Sequence, residues 1–186
     1  MCIRDRHQVD VKKVLAFSTV SQLGFMLIAI GAGAPGVALL HLVVHAFFKA
    51  GLFLGAGGVI HSLHHATHGH ASFDTQDIRN LGGLRKKLPV TFFCFTLCSL
   101  GLVGIPLFAG FQSKDAVLVS LYHWANSPWQ LGIVCITVLT AVTTIVYTVR
   151  LWWFVFLATP KKTAALAVEE VPGVMRLPLI LLSIGS

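Results

Sequence analysis

The sequence predicts an all-α integral membrane protein: about four membrane-crossing helices, one of them discontinuous, and the start of a fifth. Three observations predict it. The 186-residue chain is 55% hydrophobic and only 11% charged, against about 25% charged residues in an ordinary soluble domain. No Asp, Glu, Lys or Arg occurs between Lys13 and Lys49, between Lys87 and Lys114, or between Asp115 and Arg150. The charges that remain cluster at the ends of these apolar stretches, where the water boundary of a membrane helix lies. A soluble helical protein would need polar helix faces that this composition does not supply.

The elements follow in order. A first span is expected over residues 14–30, with Asp10 as its N-cap and Lys12 and Lys13 at the membrane surface. Gly31-Ala-Gly-Ala-Pro35-Gly36 turns the chain into a second span over 37–60. A polar loop, Ser62 to Leu88, carries His61, His64, His65, His68 and His70 at or near its start. Pro89, favoured in a first helical turn, opens a third span over 88–121. As one helix that span would be about 51 Å long, against about 30 Å of hydrocarbon. Gly104, Pro106 and Gly110 offer a break near 104–110, because proline lacks an amide hydrogen and clashes with the preceding turn. Interrupted membrane helices persist where protein or a watery cavity satisfies the freed backbone groups, and in transporters they mark ion sites. A fourth span covers 129–157, with Trp152 and Trp153 as interface anchors. Residues 159–186 read as a second polar loop, opening with Pro160-Lys161-Lys162, and the start of a truncated membrane helix. Residues 1–7 form a lead segment ahead of the helical part at 8–158, and both ends suggest a piece of a longer chain.

The net charge of +7 does not point to nucleic acid. Twelve of the fourteen basic residues, all but Lys49 and Lys114, fall on one side of the predicted bundle, which the positive-inside rule makes cytoplasmic. Cys2, Cys94, Cys98 and Cys135 form no CxxC pair, so neither a zinc site nor an iron–sulfur cluster is expected. No nucleotide or flavin motif occurs. The histidine-rich loop could ligate a metal, but surface histidines without fixed partners are the commoner case, and no metal site is expected.

Two lysines break the pattern. Lys49 lies deep in the second span and Lys114, beside Asp115, just after the expected break. A charge at the bilayer centre costs at least about 2.5–3.5 kcal/mol, so such residues face the bundle interior and mark ion or proton pathways. Snorkelling is open only near helix ends, and Lys114 and Asp115 could instead form a structural ion pair. His41, His45 and Lys49 follow one another at i, i+4 and i+8, within a stripe of about 80° and about 12 Å along the axis. Imidazole gains and loses protons near neutrality, and an amine removed from water can do so as well. The stripe therefore reads as three proton-exchanging groups in series. Haem ligation is weaker, because axial ligands approach from opposite faces and one helix cannot supply both. Ser18, Ser21 and Gln22 share a face of the first span, and Thr137, Thr140, Thr144 and Thr148 a stripe of the fourth. Packing is their default role, lining a hydrated path the second.

Four blocks, in order, carry a family resemblance: Asp10-Val-Lys-Lys-Val-Leu-Ala-Phe-Ser-Thr-Val-Ser-Gln-Leu-Gly24, His41-Leu-Val-Val-His45-Ala-Phe-Phe-Lys49-Ala, Gly82-Gly-Leu-Arg-Lys-Lys-Leu-Pro89 and Gly110-Phe-Gln-Ser-Lys114-Asp115. From about Gln8 onward the chain resembles the antiporter-like subunit L family of proton-pumping NADH:quinone oxidoreductase, respiratory complex I. The resemblance implies a fold of inverted five-helix repeats, this chain supplying the last four helices of the second repeat and the start of the next helix. It implies that His41, His45 and Lys49 belong to a chain of buried ionisable groups along the membrane midplane, and that Lys114, next to Asp115, is the output-side proton carrier. It places NADH, FMN, iron–sulfur clusters and quinone in partner subunits, none in this chain, and makes the other membrane-arm subunits and the lipid bilayer of the cytoplasmic (inner) membrane its partners. Gln112 and Ala116 stand where the family usually has an aromatic and an acidic residue. The first repeat, with its glutamate–lysine pair, and the lateral helix are not in this sequence, and Met1 to Arg6 do not match the pattern. Two other readings remain: the large subunit of a multisubunit sodium–proton antiporter, and a structural membrane subunit that moves no ions.

Overall fold

The computed structural model describes residues 10–67, 74–159, 163 and 167–186. Met1 to Arg6, His68, His70 and Pro160-Lys161-Lys162 lie outside the described residues.

Helix α1, Val11–Gly31, begins where the Asp10 carboxylate accepts hydrogen bonds from the amides of Lys12 and Lys13, at 2.9 and 3.2 Å, satisfying two of the four free amides of a helix start. Helix α2, Pro35–Ala66, is the longest element at 32 residues. It runs six residues beyond the expected end, so His61, His64 and His65 belong to its last turns and not to a loop. Polarity misplaced this boundary because a helix end is set by its partners: Leu63 is buried in one cluster with Ile78, Leu81, Leu84 and Leu88, and the Thr67 amide closes the helix on the Leu63 carbonyl.

The third span is two half-helices, α3 (Pro89–Val103) and α4 (Ala109–Trp124). A carboxylate from far along the chain seats the first: Glu170 accepts from the Val90 amide at 2.8 Å and the Thr91 hydroxyl at 2.6 Å. Negative charge at a helix start is favoured by its free amides and dipole. Helix α3 ends at Gly104, which takes a left-handed conformation (φ 81°), the usual way to stop a helix. Leu107 also has a positive φ, 88°, unusual for a branched residue and a local store of strain. Beyond the break the start of α4 lies against the end of α3, so closely that a side chain at Gly110 would run into the Gly101 carbonyl.

Helix α5, Pro128–Trp152, continues as a π-helical turn, Trp153–Leu157. Helix α6, Gly173–Ile184, lies against α2 and α3. A side chain at Gly51 of α2 would run into the Cys98 sulfur of α3 and one at Gly55 would press on the Phe95 ring, while Leu182 and Leu179 of α6 lie at ordinary contact distance beside the same two positions. Three spans, Val11–Gly31, Pro35–Ala66 and Pro128–Leu157, are long and apolar enough to cross a membrane. Their outward faces carry Leu27, Leu39, Ile136 and Leu139, all more than 60% exposed, as helices facing lipid require.

The interior has two apolar clusters. One gathers Val14, Leu15, Phe48, Leu52, Phe95 and Phe156 with the loop residues Ile78, Leu81, Leu84 and Leu88. The other gathers Phe25, Met26, Ala29, Ala38, Val117 and Leu121 toward the opposite end. At the first end the start of α1, the 76–88 loop and the end of the π turn meet: the Val11 amide bonds the Gln76 carbonyl and the Arg85 amide the Phe156 carbonyl. Lys12, Lys13, Arg79, Arg85, Lys86 and Lys87 all sit on segments of that end.

Candidate functional site

Between the two clusters runs a polar layer. Helix α1 turns Ser18 and Gln22 into it, α2 turns His41, His45 and Lys49, α4 turns Ser113 and Lys114, and α5 turns Tyr147. None of these eight side chains is more than 6% exposed. Burying polar groups is costly unless they are hydrogen-bonded, and the bonds present show how the layer is held.

Lys49 donates to the Ser18 hydroxyl at 2.7 Å and to the Leu15 carbonyl at 3.1 Å. The Ser18 hydroxyl is in turn paired with the Tyr147 phenol at 2.5 Å. His41 is bonded on both sides: Nδ1 to the Ser113 hydroxyl at 2.9 Å, Nε2 to the Gln22 side-chain oxygen at 3.1 Å. Ser113 also donates to the Gly110 carbonyl at 3.2 Å. His45 lies between, its ring 6.3 Å from that of His41 centre to centre. The Nε2 atoms of His45 and Gln22 are buried without a hydrogen-bond partner, the kind of atom that ordered water or a bound group usually satisfies.

Lys114 is held by the break itself. Its ammonium donates to the carbonyls of Leu102 and Val103, the last residues of α3. In an unbroken helix those carbonyls would accept from the amides four residues on. Residue 106 is proline and has no amide hydrogen, and residue 107 has left the helical conformation. The interruption thus frees two backbone acceptors for the charged amine, with Gly104 leaving room for its stem: a Cβ there would come within 3.3 Å of Lys114 Cδ.

His41, His45, Lys49 and Lys114 are therefore brought into one layer, and Gly104, Pro106 and Gly110 shape the break beside it. Asp115 is not brought in. It is exposed on the outer face of α4, and Lys114 is held by carbonyls in place of the ion pair weighed from the sequence. Of the threonine stripe, Thr137, Thr144 and Thr148 are buried. The histidines at the end of α2 sit apart from this layer, where His61 and His65 line a cavity of about 610 Å³ with Glu169 and Glu170. Sequence reasoning missed Ser113 and Tyr147. Their signals were a hydroxyl beside Lys114 and a tyrosine within a charge-free span. It placed Gln22 on a polar face without a partner.

Residues 5–143 match the family described as NADH:quinone oxidoreductase/Mrp antiporter, transmembrane region. The chain is 41% identical over 187 aligned residues to NADH-quinone oxidoreductase subunit L of Mycobacterium tuberculosis, covering 100% of this chain and 27% of that protein. It is 42% identical to the subunit of the same name in Rhodobacter capsulatus, covering 96% and 25%. With NADH-ubiquinone oxidoreductase chain 5 of Rattus norvegicus it shares 37% identity over 96% and 27%. The chain thus spans about a quarter of the length of these curated relatives. The family match begins inside the lead segment at 1–7, and the M. tuberculosis alignment takes in the whole chain. Among solved structures, an archaeal membrane-bound sulfane sulfur reductase superposes with a TM-score of 0.83 at 25% identity, covering 98% of this chain and 28% of the other. The Mrp complex of Dietzia sp. DQ12-45-1b gives 0.81 at 18% identity, over 98% and 40%. The chain is a multi-pass membrane protein and belongs to the NADH:quinone oxidoreductase/Mrp antiporter transmembrane family.

Proposed function

We propose that this chain is the second-repeat part of a membrane-arm subunit of NADH:quinone oxidoreductase, and that protons pass along its buried row of Lys49, His45, His41 and Lys114. One observation carries the reading. Four ionisable side chains, each at most 6% exposed, occupy one layer between two apolar clusters; His41 is bonded to a hydroxyl and an amide oxygen, Lys49 to a hydroxyl and a carbonyl, and Lys114 to two carbonyls. Hydroxyl, amide and carbonyl groups carry no net charge, and an imidazole or amine bonded to them can exchange a proton with the next group.

On this reading NADH, FMN, iron–sulfur clusters and quinone are bound by other subunits. Electron transfer there changes the charge facing the row and moves protons stepwise. The partners of this chain are the adjoining membrane-arm subunits and the lipid of the cytoplasmic membrane. The basic end of the bundle lies on the cytoplasmic side by the positive-inside rule. A sodium–proton antiporter subunit is the second reading. The Dietzia structure supports a shared fold, while the respiratory relatives, at 37–42% identity, share more of the sequence. The Gly82-Gly-Leu-Arg-Lys-Lys-Leu-Pro89 run also favours the respiratory subunit.

The test is NADH-driven proton uptake by the complete complex in sealed vesicles, with Lys49→Ala and Lys114→Ala introduced separately. Each substitution is expected to cut protons moved per NADH by about tenfold or more, the effect of losing about 1.4 kcal/mol or more at one relay step. Normal pumping in both variants would remove the relay and leave a structural subunit. Sodium exchange lost together with proton movement, in a complex without NADH activity, would move the chain to the antiporter class.

A further inference from the structure

His41 is completely buried between Ser113 on α4 and Gln22 on α1, both completely buried themselves. Both partners can donate or accept a hydrogen bond, the serine by rotating its hydroxyl and the glutamine by turning its amide. The hydrogens can then be counted for each form of the imidazole. When His41 is doubly protonated, Nε2–H donates to the Gln22 oxygen, Nδ1–H donates to the Ser113 hydroxyl, and the Ser113 hydrogen is free to donate to the Gly110 carbonyl. The three heavy-atom separations, 3.1, 2.9 and 3.2 Å, accommodate this pattern. When His41 is neutral with its hydrogen on Nε2, the single Ser113 hydrogen is drawn to Nδ1 and the Gly110 carbonyl loses it. When the hydrogen is on Nδ1, Nε2 needs a donor. The Gln22 amide nitrogen, buried and without a partner in its present orientation, supplies one by turning over.

We propose that Gln22 is a positioning residue whose amide turns over as His41 changes between these forms, and that Ser113 passes the same change to the Gly110 carbonyl at the start of the second half-helix. This rests on the relay reading above. A proton gained at one ring nitrogen gives the doubly protonated form, and a proton then lost from the other nitrogen leaves the opposite neutral tautomer. Each passage therefore ends with the ring hydrogen on the other side, and the ring must return to its first tautomer before the next. The Gln22 amide turns to donate to Nε2 whenever that nitrogen is left without a hydrogen, and turns back when the hydrogen returns. The second half-helix is a suitable receiver, because Gly110 is pressed against the Gly101 carbonyl of α3 with no room for a side chain. The charge on one imidazole is thereby linked to the contact between the two halves of the discontinuous helix.

Solid-state NMR of the complete complex, with histidine and glutamine side chains labelled with nitrogen-15, reads the ring tautomer and the amide orientation without turnover. In the unsubstituted protein a through-space contact from the Gln22 amide nitrogen to His41 Nε2 is expected only in the Nδ1–H form. Gln22→Glu, the same size but an acceptor only when ionised, is expected to deplete that form by about tenfold, since a bond from Nε2–H to a charged acceptor is gained. An amide orientation that stays the same in all forms, or an unchanged tautomer ratio in Gln22→Glu, overturns the proposal. The amide measurement needs no variant to assemble. Normal pumping in Lys49→Ala and Lys114→Ala alongside a responsive His41 tautomer would remove the relay and keep the switch.

Discussion

Lys49 and Lys114 are two amines buried to the same degree, 5% and 6% exposed, and the chain accommodates them in opposite ways. Lys49 sits on an uninterrupted helix and is met from the neighbouring α1 by the Ser18 hydroxyl, itself tied to Tyr147 on α5, and by the Leu15 carbonyl. Lys114 sits in the second turn of a half-helix and is met by backbone, the Leu102 and Val103 carbonyls that the break leaves without amide partners. The first arrangement costs three helices one polar position each. The second costs a helix its continuity and puts a leucine at a positive φ. The difference teaches where each site is vulnerable. The Lys49 site should fail by loss of single hydroxyls, and the Lys114 site by repair of the helix.

Repair is the larger test. In Pro106→Ala an amide hydrogen becomes available to the Leu102 carbonyl, and α3 can extend by part of a turn at the expense of Lys114. A hydrogen bond to a charged group is worth about 1.5–3 kcal/mol. Proton uptake per NADH is expected to fall by about tenfold or more, with the complex still assembled. Wild-type pumping would mean that the carbonyls freed at the break are not what holds Lys114 ready for transfer. Tyr147→Phe is the corresponding probe at Lys49 and is expected to do less. It removes one neutral hydrogen bond from the Ser18 hydroxyl, worth about 1 kcal/mol, so proton uptake should fall about fivefold. A loss as large as that in Lys49→Ala would show Tyr147 to be a member of the row in its own right.

The same contrast explains how much could be read in advance. Lys49 and the histidines declare themselves because helical spacing is a sequence property: residues at i, i+4 and i+8 share a face wherever the helix goes. The break was legible for a related reason, since Gly104, Pro106 and Gly110 act on their own local backbone. What α1 and α5 bring across to α2 was not legible. Ser18 reaches Lys49 from 31 residues away and Tyr147 reaches Ser18 from 129 away, and only the packing of the helices decides that they meet. Charge density misled at the end of α2 for the opposite reason. Histidines look like loop, but Leu63 on the buried face keeps the helix wound for another turn and a half. The Glu170 carboxylate at the start of α3 was out of reach as well, because its partners lie 79 and 80 residues earlier.

Asp115 gives the smallest expected effect and the finest test of the contrast. It follows Lys114 directly, and adjacency makes it tempting as a second proton carrier or as the counter-charge. Helical geometry opposes both, because neighbouring residues point about 100° apart. Lys114 turns inward to the broken end of α3, while Asp115 is exposed with no ion pair to Lys114 among the described residues. Asp115→Asn keeps the size and removes the charge. Proton uptake per NADH is expected to stay within about twofold of the unsubstituted complex, the range of an exposed charge acting from outside the row. A tenfold loss would place Asp115 in the transfer path after all, facing a cation from a part of the subunit beyond this chain, and Lys114 would then lie between two acceptors rather than at the end of one row.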